Sequence, residues 1–341
     1  MARPTRVVLP ITMLALGAGA THAQVFTASY DTSTLDRWNY PFNGSPGTRL
    51  ELPAFGAIEL PGFDDHDAQV LIGFDTSGDI PAGLGAERYR VVDATVTLTV
   101  LNGNDFPYDD TYDSYTTYGS LGTDPDAGRP INLFLTGYRD GFDQTTYGES
   151  TAFGFNPDVE PAQGSRRAYA AIFEQPGVAT DVSNNLKEQF EAVPLAIGTT
   201  DTLNPGDSVP ADTTFEFSFS PCGIGTNGEL ARMLDLGEVR FSVTNLIAAV
   251  GGPDGGDEQN YPIFYPRENP VAQLLGYTPT LELTVRVGIP GDLDGNGSVG
   301  FEDVNAFVTA FSSGDLIADL DGDCTVGFAD LNLFIDAFAG G

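Results

Sequence analysis

The stretch TTFEFSFS, residues 213–220, alternates aromatic and polar side chains with a period of two. Successive side chains of a β-strand point to opposite faces, so Phe215, Phe217 and Phe219 would share one face. The polar residues between them would share the other. A strand of this kind buries its apolar face against a second sheet. The stretch therefore predicts a β-sandwich with a solvated outer face.

Five further segments carry strand patterns: 68–75, 89–100, 131–138, 238–244 and 280–287. Helical patterns interrupt them at 181–190 and 228–236. The composition of 41 Gly, 23 Pro and 23 Phe in 341 residues suits short strands joined by turns. We predict a mostly β protein in which residues 24–288 form an antiparallel, jelly-roll-like β-sandwich.

The first 23 residues, MARPTRVVLPITMLALGAGATHA, have two arginines, a short apolar run and small residues before Gln24. This pattern is typical of a secretory signal peptide; an uncleaved anchor is the alternative. No later stretch approaches 18 apolar residues, so no membrane span is expected. The sequence predicts a secreted protein, extracellular or at the cell surface.

The formal net charge is −33. Nucleic acid and anionic lipid are poor partners for so acidic a surface, so we expect neither. Acidic residues in this number keep a protein solvated and supply ligands for hard cations.

A twelve-residue segment occurs twice, as DLDGNGSVGFED at 292–303 and DLDGDCTVGFAD at 319–330. Oxygen-bearing side chains recur at positions 1, 3, 5 and 12, the spacing of an EF-hand-like calcium loop whose position 7 adds a carbonyl. Position 12 is Asp rather than Glu, so its carboxylate reaches one methylene less far. The predicted ligands of two Ca²⁺ ions are Asp292, Asp294, Asn296, Ser298 and Asp303, then Asp319, Asp321, Asp323, Thr325 and Asp330.

Each loop precedes a stretch with apolar residues at i, i+3, i+4 and i+7, which predicts an amphipathic helix. Neither short helix could bury its stripe alone, so we expect the two to pack on each other, antiparallel. The stripes are Val304, Phe307, Val308 and Phe311 in the first helix, and Leu331, Phe334, Ile335 and Phe338 in the second.

This duplicated loop-then-helix arrangement, over residues 289–341, resembles the dockerin module, a secreted calcium-loop domain that docks onto cohesin modules. The resemblance implies a small α-helical module with two bound Ca²⁺ ions and a cohesin-like partner on a scaffold or cell surface. It also implies partner contacts from positions 10 and 11, here Phe301 and Glu302, then Phe328 and Ala329. These are not the Ser-Thr type pairs of the well-known cellulosomal dockerins, so the choice of cohesin is open, and both phenylalanines could instead be core residues.

A shorter resemblance covers residues 68–100, AQVLIGFDTSGDIPAGLGAERYRVVDATVTLTV. A strand ending in Phe-Asp, a loop and a second alternating strand are similar to a stretch of DNRLRE-type secreted jelly-roll domains. This resemblance implies a jelly roll, rather than a propeller, for residues 24–288.

Cys222 and Cys324 are the two cysteines of the sequence, and Cys324 occupies position 6 of the second loop, where the first has Gly297. The turn there favours positive φ, which costs a non-glycine residue about 1 to 2 kcal/mol. A Cys222–Cys324 disulfide, formed in an oxidising compartment, would offset that cost. The alternative is a free or intermolecularly paired cysteine in a degraded loop.

Catalytic motifs are scarce. His66, in FDDHDAQ, is the one histidine after the predicted cleavage site; we interpret it as a turn residue whose pKa is raised by its acidic neighbours, or else as a cation or substrate ligand. Neither a G-x-S-x-G nor an H-E-x-x-H motif occurs. Glycoside hydrolysis needs only two carboxylates, and no pair stands out among 48 acidic residues.

The segment NDFPYDDTYDSYTTYG, residues 104–119, interleaves tyrosines with aspartates. Aromatic rings stack on sugars, so Tyr108, Tyr112 and Tyr115 form a candidate carbohydrate platform. The alternative is a loop folded back on its own sandwich. Trp38 has the same two interpretations, sugar platform or packing anchor.

These observations predict a secreted, non-catalytic protein that docks through a calcium-dependent dockerin-like module to a cohesin-bearing scaffold or cell-surface partner, in a polysaccharide-related setting. The alternative is a polysaccharide-degrading glycoside hydrolase, or a carbohydrate-binding module, with its site in the sandwich.

Overall fold

The computed structural model describes residues 24–41, 47–58, 62–103, 106–119, 128–154, 166–249 and 260–340. The predicted signal peptide, residues 1–23, lies outside the described residues. In chain order the described strands are β1 (Gln24–Tyr30), β2 (Leu35–Asn39), β3 (Leu52–Pro53), β4 (Gln69–Asp75), β5 (Tyr89–Thr99), β6 (Asn132–Tyr138), β7 (Ala168–Gln175), β8 (Val178–Asp181), β9 (Ala196–Ile197), β10 (Thr214–Phe219), β11 (Glu238–Thr244), β12 (Ile263–Phe264) and β13 (Thr280–Val287).

These strands form two main sheets and a small one, and each pairing of named strands is antiparallel. One sheet has the order β1-β13-β5-β10. The other has the order β2-β4-β11-β6-β7-β8, with β9 also on β6, and β12 pairs with β3. All six predicted strands are present, with ends that differ by at most one residue.

The main core lies between the two large sheets, as the alternating patterns predict. Phe215, Phe217 and Phe219 of β10 are buried, and the polar residues between them are exposed or half-buried. They meet inward-facing residues of the other sheet, for example Phe241, whose ring lies 6.0 Å from that of Phe219. The chain is therefore a mostly β, antiparallel sandwich.

The described helices are α1 (Tyr115–Gly119), α2 (Asn185–Glu188), α3 (Ile224–Asp235), α4 (Pro270–Leu275), α5 (Phe301–Ser313) and α6 (Phe328–Gly340). The helical pattern at 181–190 produces only α2, and the pattern at 228–236 belongs to α3, which begins four residues earlier. Leu230 and Met233 of α3 are buried in the main core. None of the helices in the described part of the chain is long and apolar enough to cross a membrane.

The segment 289–340 has a core of its own. Phe307 of α5 and Phe334 of α6 are buried and stack with ring centres 4.3 Å apart. Val304, Phe311, Leu331 and Phe338 pack around them.

Two residues of the predicted stripes face solvent instead. Val308 is 55% exposed and Ile335 is 51% exposed. Each helix thus packs three of its four predicted stripe residues into this core.

Candidate metal centre

The first loop, residues 292–303, brings three of its predicted ligands together. One carboxylate oxygen from each of Asp292, Asp294 and Asp303 lies within 4.8 Å of the other two. Asp292 and Asp303 are buried, whereas Asp294 is exposed. The loop therefore concentrates three negative charges around one point, as a hard cation requires.

Asp303, at position 12, holds the loop closed. Its Oδ1 accepts hydrogen bonds from the backbone N–H groups of Leu293 (2.7 Å) and Asp294 (2.9 Å). Its Oδ2 accepts from the N–H of Gly300 (2.7 Å), the residue that caps α5. The short Asp side chain reaches all three donors because the loop folds tightly over the first turn of the helix.

Asp292 leaves one oxygen without a partner. Its Oδ2 accepts a hydrogen bond from the N–H of Gly297 (2.8 Å). Its Oδ1 is buried and has no hydrogen-bond partner among the described residues. A buried oxygen without a partner is unfavourable, and a cation held by the three carboxylates would supply the missing interaction.

The other two predicted ligands of this loop lie on its exposed rim. The side-chain Oδ1 of Asn296 accepts hydrogen bonds from the N–H (3.0 Å) and hydroxyl (2.7 Å) of Ser298. The amide of Asn296 donates to Oδ2 of Asp294 (2.9 Å). These contacts fix the turn between positions 3 and 7.

The second loop, residues 319–330, repeats the backbone pattern. Asp330 accepts hydrogen bonds from the N–H groups of Leu320 (2.6 Å), Asp321 (3.2 Å) and Gly327 (2.8 Å). Here the clustered carboxylates are those of Asp319, Asp321 and Asp323, all within 4.8 Å of one another.

The pKa values in this loop shift in opposite directions. Burial and then the charges of Asp330 and Asp323 raise the pKa of Asp321. The hydroxyl and N–H of Thr325 lower the pKa of the exposed Asp323. The second loop thus also gathers three carboxylates, but from positions 1, 3 and 5 rather than 1, 3 and 12, so the predicted ligand Asp330 lies outside this cluster.

Asp319 differs from its counterpart Asp292, because both of its oxygens are occupied. Oδ1 accepts a hydrogen bond from the N–H of Gly322 (2.8 Å), and Oδ2 accepts from the N–H of Cys324 (3.0 Å). Arg90 of β5 donates through Nη2 to Oδ2 (2.5 Å) and through Nη1 to the carbonyl oxygen of Asp319. A guanidinium from the sandwich therefore neutralises the first position of the second loop.

The structure joins Cys222 and Cys324 in a disulfide, with their Cα atoms 5.3 Å apart. Cys324 has φ 64°, and Gly297 has φ 89° at the same position of the first loop, so position 6 has positive φ in both. Next to the bridge, the N–H of Gly223 donates to the carbonyl of Gly322 (3.0 Å) and the amide of Asn227 donates to the same oxygen (2.9 Å). The second loop is thus attached to the sandwich by the disulfide and by two hydrogen bonds.

A cavity of about 660 Å³ lies beside this attachment, between the sandwich and the C-terminal segment. Ile224 of α3 lines one wall, and Ile317 and Leu320 line the other. The two parts are therefore not packed closely together at this place.

The positions implied as partner contacts are all on the surface. Phe301 is 76% exposed and Phe328 is 82% exposed, and Glu302 and Ala329 are also exposed. The Phe301 ring touches that of Phe338 edge-on, at 5.5 Å. The two phenylalanines are therefore not core residues, and they occupy equivalent places at the starts of α5 and α6.

The tyrosine-rich segment is largely used in internal packing, and its first two residues, 104 and 105, lie outside the described part. Tyr108 is buried, with its ring 5.9 Å from Phe215, and is a core residue rather than a sugar platform. Tyr112 is exposed and its hydroxyl contacts Glu191, and Tyr115 is half-buried in α1. Trp38 is half-buried, stacks on Tyr40 at 4.8 Å and packs against the main core, as a packing anchor would.

The predicted rise in the pKa of His66 is wrong, although the residue lies in a bend before β4 as expected. The ring is fully buried, and burial lowers its pKa to about 4, overriding the opposing effect of nearby Asp65. Nε2 of His66 lies 3.1 Å from Oδ1 of Asn185, and the ring packs against Phe134.

A buried arginine organises the acidic segment around His66. Arg166 is completely buried and donates to the Asp64 carboxylate (2.9 Å) and to the carbonyls of Asn39 (3.1 Å), His66 (3.1 Å) and Asp67 (2.6 Å). Sequence reasoning missed this residue, since it lies about 100 positions from the segment it binds. The cluster of three aspartates in FDDHDAQ was the available signal, because buried carboxylates require a cation.

Comparison with known proteins adds little to these observations. No protein-family model matches the sequence, and no curated protein matches it. Among solved structures, the chain is similar to the VP1 pentamer of human polyomavirus 6, at 12% identity and a TM-score of 0.24, over 80% of this chain and 97% of that one. A similarity this low carries no argument about fold or function.

Proposed function

We propose that this chain is a secreted, non-catalytic protein whose C-terminal segment, residues 289–341, is a dockerin-like module that binds Ca²⁺ and docks onto a cohesin-like partner. Residues 24–288 would be the jelly-roll-like cargo that the module attaches to a scaffold or cell surface. The observation that carries the proposal is the buried, unpartnered Oδ1 of Asp292 inside a cluster of three carboxylates.

The donor set of the first loop suits Ca²⁺. Asp292, Asp294 and Asp303 supply oxygen only, the ligand type that Ca²⁺ prefers, and Asn296 and the carbonyl of Ser298 lie at the positions that complete such loops. Bound Ca²⁺ would offset the repulsion among the three carboxylates and so stabilise the loop against α5.

Calcium binding is tested on the full chain by calorimetric titration after removal of metal with a chelator. We expect heat of binding that Asp292→Asn reduces by the equivalent of one site. Asp336→Asn, which removes an exposed carboxylate from α6, is the matched control and should bind as the parent does. Absence of binding by the parent chain at millimolar Ca²⁺ would overturn the proposal.

The proposed docking face contains Phe301 and Phe328. Exposed aromatic side chains of this size are typical anchors of protein interfaces, and their equivalent places in the two repeats offer a partner two similar surfaces. Their flanking residues, Glu302 and Ala329, differ in charge, so the two surfaces would not be interchangeable.

Docking is tested by native electrophoresis with a panel of cohesin modules, in Ca²⁺ and in chelator. We expect a complex in Ca²⁺ alone that Phe301→Ser together with Phe328→Ser weakens at least tenfold. Leu274→Ser, at a site in α4 that is 83% exposed, is the matched control. If the Ca²⁺-bound chain binds none of the cohesin modules in the panel, the result would argue against docking while leaving calcium binding intact.

The disulfide supports the extracellular part of the proposal, because such bonds persist in oxidising compartments. Fractionation of the native host, with the protein detected in the medium or on the cell surface, tests this part. Recovery of reduced, uncleaved protein from the cytoplasm would contradict it.

A further inference from the structure

Three carboxylates outside the repeated loops converge at the edge strand β2. Asp36 lies in β2, Glu149 in the segment after β6, and Glu268 just before α4. One oxygen from each lies within 4.8 Å of the others. The cluster therefore joins three distant parts of the chain within the sandwich.

Arg267 holds one oxygen of each acid. Its backbone N–H donates to Oδ2 of Asp36 (2.7 Å), its Nη2 contacts Oε1 of Glu149 (3.2 Å), and its Nε donates to Oε1 of Glu268 (2.6 Å). Ser33 also donates to Oδ2 of Asp36 (2.7 Å), and the N–H of Asp36 donates to Oε1 of Glu149 (3.1 Å). The first oxygen of every carboxylate is thus fixed.

The second oxygen of every carboxylate is left over. Oδ1 of Asp36, Oε2 of Glu149 and Oε2 of Glu268 are all buried and lack a hydrogen-bond partner among the described residues. Asp36 itself is only 1% exposed. Three buried acceptors without donors, side by side, require a cation, a shared proton or a bound water.

The charges do not balance without a ligand. Arg267 and Arg37 supply two positive charges against three carboxylates. Arg37 donates to the carbonyl oxygens of Gly148 (2.9 Å) and Glu149 (3.3 Å), and its charge acts on the Glu149 carboxylate from there. Burial, and then the neighbouring Glu268, raise the pKa of Asp36 to about 7. Burial also raises the pKa of Glu149.

We propose that Asp36, Glu149 and Glu268 form a third cation site, in the sandwich, that binds a hard divalent cation, Ca²⁺ or Mg²⁺. Three carboxylates supply the all-oxygen donor set that such ions require, and a divalent ion offsets the negative charge that Arg267 and Arg37 leave. The side chains of Glu149 and Glu268 are 18% and 24% exposed, which leaves a route for the ion and for water ligands. The ion would tie the edge strand β2 to the two segments that carry Glu149 and Glu268.

Trp38 allows this site to be observed separately from the calcium loops. It is the only tryptophan in the sequence and lies two residues beyond Asp36 on the same strand, and therefore on the same face. Terbium, a luminescent substitute for Ca²⁺, is sensitised by an aromatic ring close to it. Excitation at the red edge of tryptophan absorption, where tyrosine does not absorb, should therefore report Tb³⁺ at Asp36.

We expect the metal-free full chain to show sensitised emission with Tb³⁺ that saturates and that Ca²⁺ or Mg²⁺ displaces; the more effective competitor identifies the ion. Asp36→Asn should reduce the emission at least tenfold, and Glu268→Gln, at a partly exposed position, should do the same if Asp36→Asn fails to fold. Asp292→Asn, in the first calcium loop, should leave it unchanged.

Two results would overturn the proposal. One is absence of sensitised emission from the folded parent chain. The other is emission that persists in folded Asp36→Asn and Glu268→Gln variants. In either case a proton shared between Asp36 and Glu268 would satisfy the cluster instead. The result is independent of the calcium loops, since a failure there leaves the Trp38 signal intact.

Discussion

The guanidinium of Arg90 in β5 is paired with the buried carboxylate of Asp319, Nη2 to Oδ2 at 2.5 Å, and so joins the sandwich to the second loop. The equivalent residue of the first loop, Asp292, has no such partner and keeps a free oxygen. The two loops of the repeat are therefore similar in sequence and different in electrostatics.

Replacement of Arg90 should change calcium binding by the second loop. In an Asp292→Asn background, Arg90→Met leaves the Asp319 carboxylate unneutralised, so we expect Ca²⁺ affinity to rise by roughly tenfold, about 1.4 kcal/mol. Without Ca²⁺ the same variant should unfold at lower denaturant, because a buried carboxylate has lost its partner. Calorimetry measures the first effect and urea unfolding the second. Unchanged affinity would show that Arg90 does not compete with the ion.

The disulfide should stabilise the chain by an amount that grows with the logarithm of the length of the loop that it closes. Cys222 and Cys324 are 102 residues apart, for which the chain-entropy model gives up to about 4.7 kcal/mol. We expect the double variant Cys222→Ser, Cys324→Ser to lose much of this stabilisation, measured as the free energy of unfolding in urea.

A second double variant isolates the effect of backbone strain at position 324 on the free energy of unfolding. Cys222→Ser with Cys324→Gly should be about 1 kcal/mol more stable than the double serine variant, because glycine adopts φ 64° without strain. Equal stabilities of the two variants would indicate that the turn relaxes once the bridge is gone.

Removal of Arg166 should be among the most damaging single changes in the sandwich. Arg166→Met removes the cation from the buried Asp64 carboxylate and one donor from the carbonyls of His66 and Asp67, so we expect a loss of about 3 to 5 kcal/mol. The adjacent Arg167→Met, at a partly exposed position, should cost about 1 kcal/mol or less. Unfolding midpoints of the two variants test the difference, and similar losses would contradict the role given to Arg166.

Burial of His66 predicts a specific loss of stability in acid. Its pKa is about 4 when folded against 6.5 for the free side chain, so the unfolded chain binds the proton first. The contribution of the neutral His66 ring to the free energy of unfolding is fully present above pH 6.5. It is lost between about pH 6.5 and 4, with a slope of up to about 1.4 kcal/mol per pH unit.

The difference between parent and His66→Gln isolates this contribution, because glutamine keeps a polar contact with Asn185 and does not titrate. We expect the two unfolding curves to converge as the pH falls through this window. Parallel curves from pH 7 to 4.5 would show that the His66 ring is accessible to protons in the folded protein.

The strands of the sandwich were predictable where one face is buried throughout. In β10 and β13 every second residue points inward, so Phe215 and Leu281 could be assigned from period alone. In β5 the period fails: the pairing of β5 with β13 shifts at Thr284, and Val92 is 40% exposed beside buried Val91. A bulge of this kind depends on the partner strand and leaves no mark in the local pattern.

The carboxylate clusters of the two repeated loops were predictable because the members of each cluster lie within twelve residues of one another. Asp303 and the backbone groups that it binds are at most ten positions apart. His66 was not predictable, because its pKa depends on burial by distant residues such as Phe134. The Asp36 cluster was missed for the same reason: its three members are separated by more than a hundred residues each.

The Cys222–Cys324 bond also makes the polypeptide between these residues a closed ring, which contains α3, β11, β13 and α5. A protease that cuts this ring once produces two fragments that stay linked until a reductant is added. A chain with this topology can therefore be nicked without releasing the end that carries the repeats.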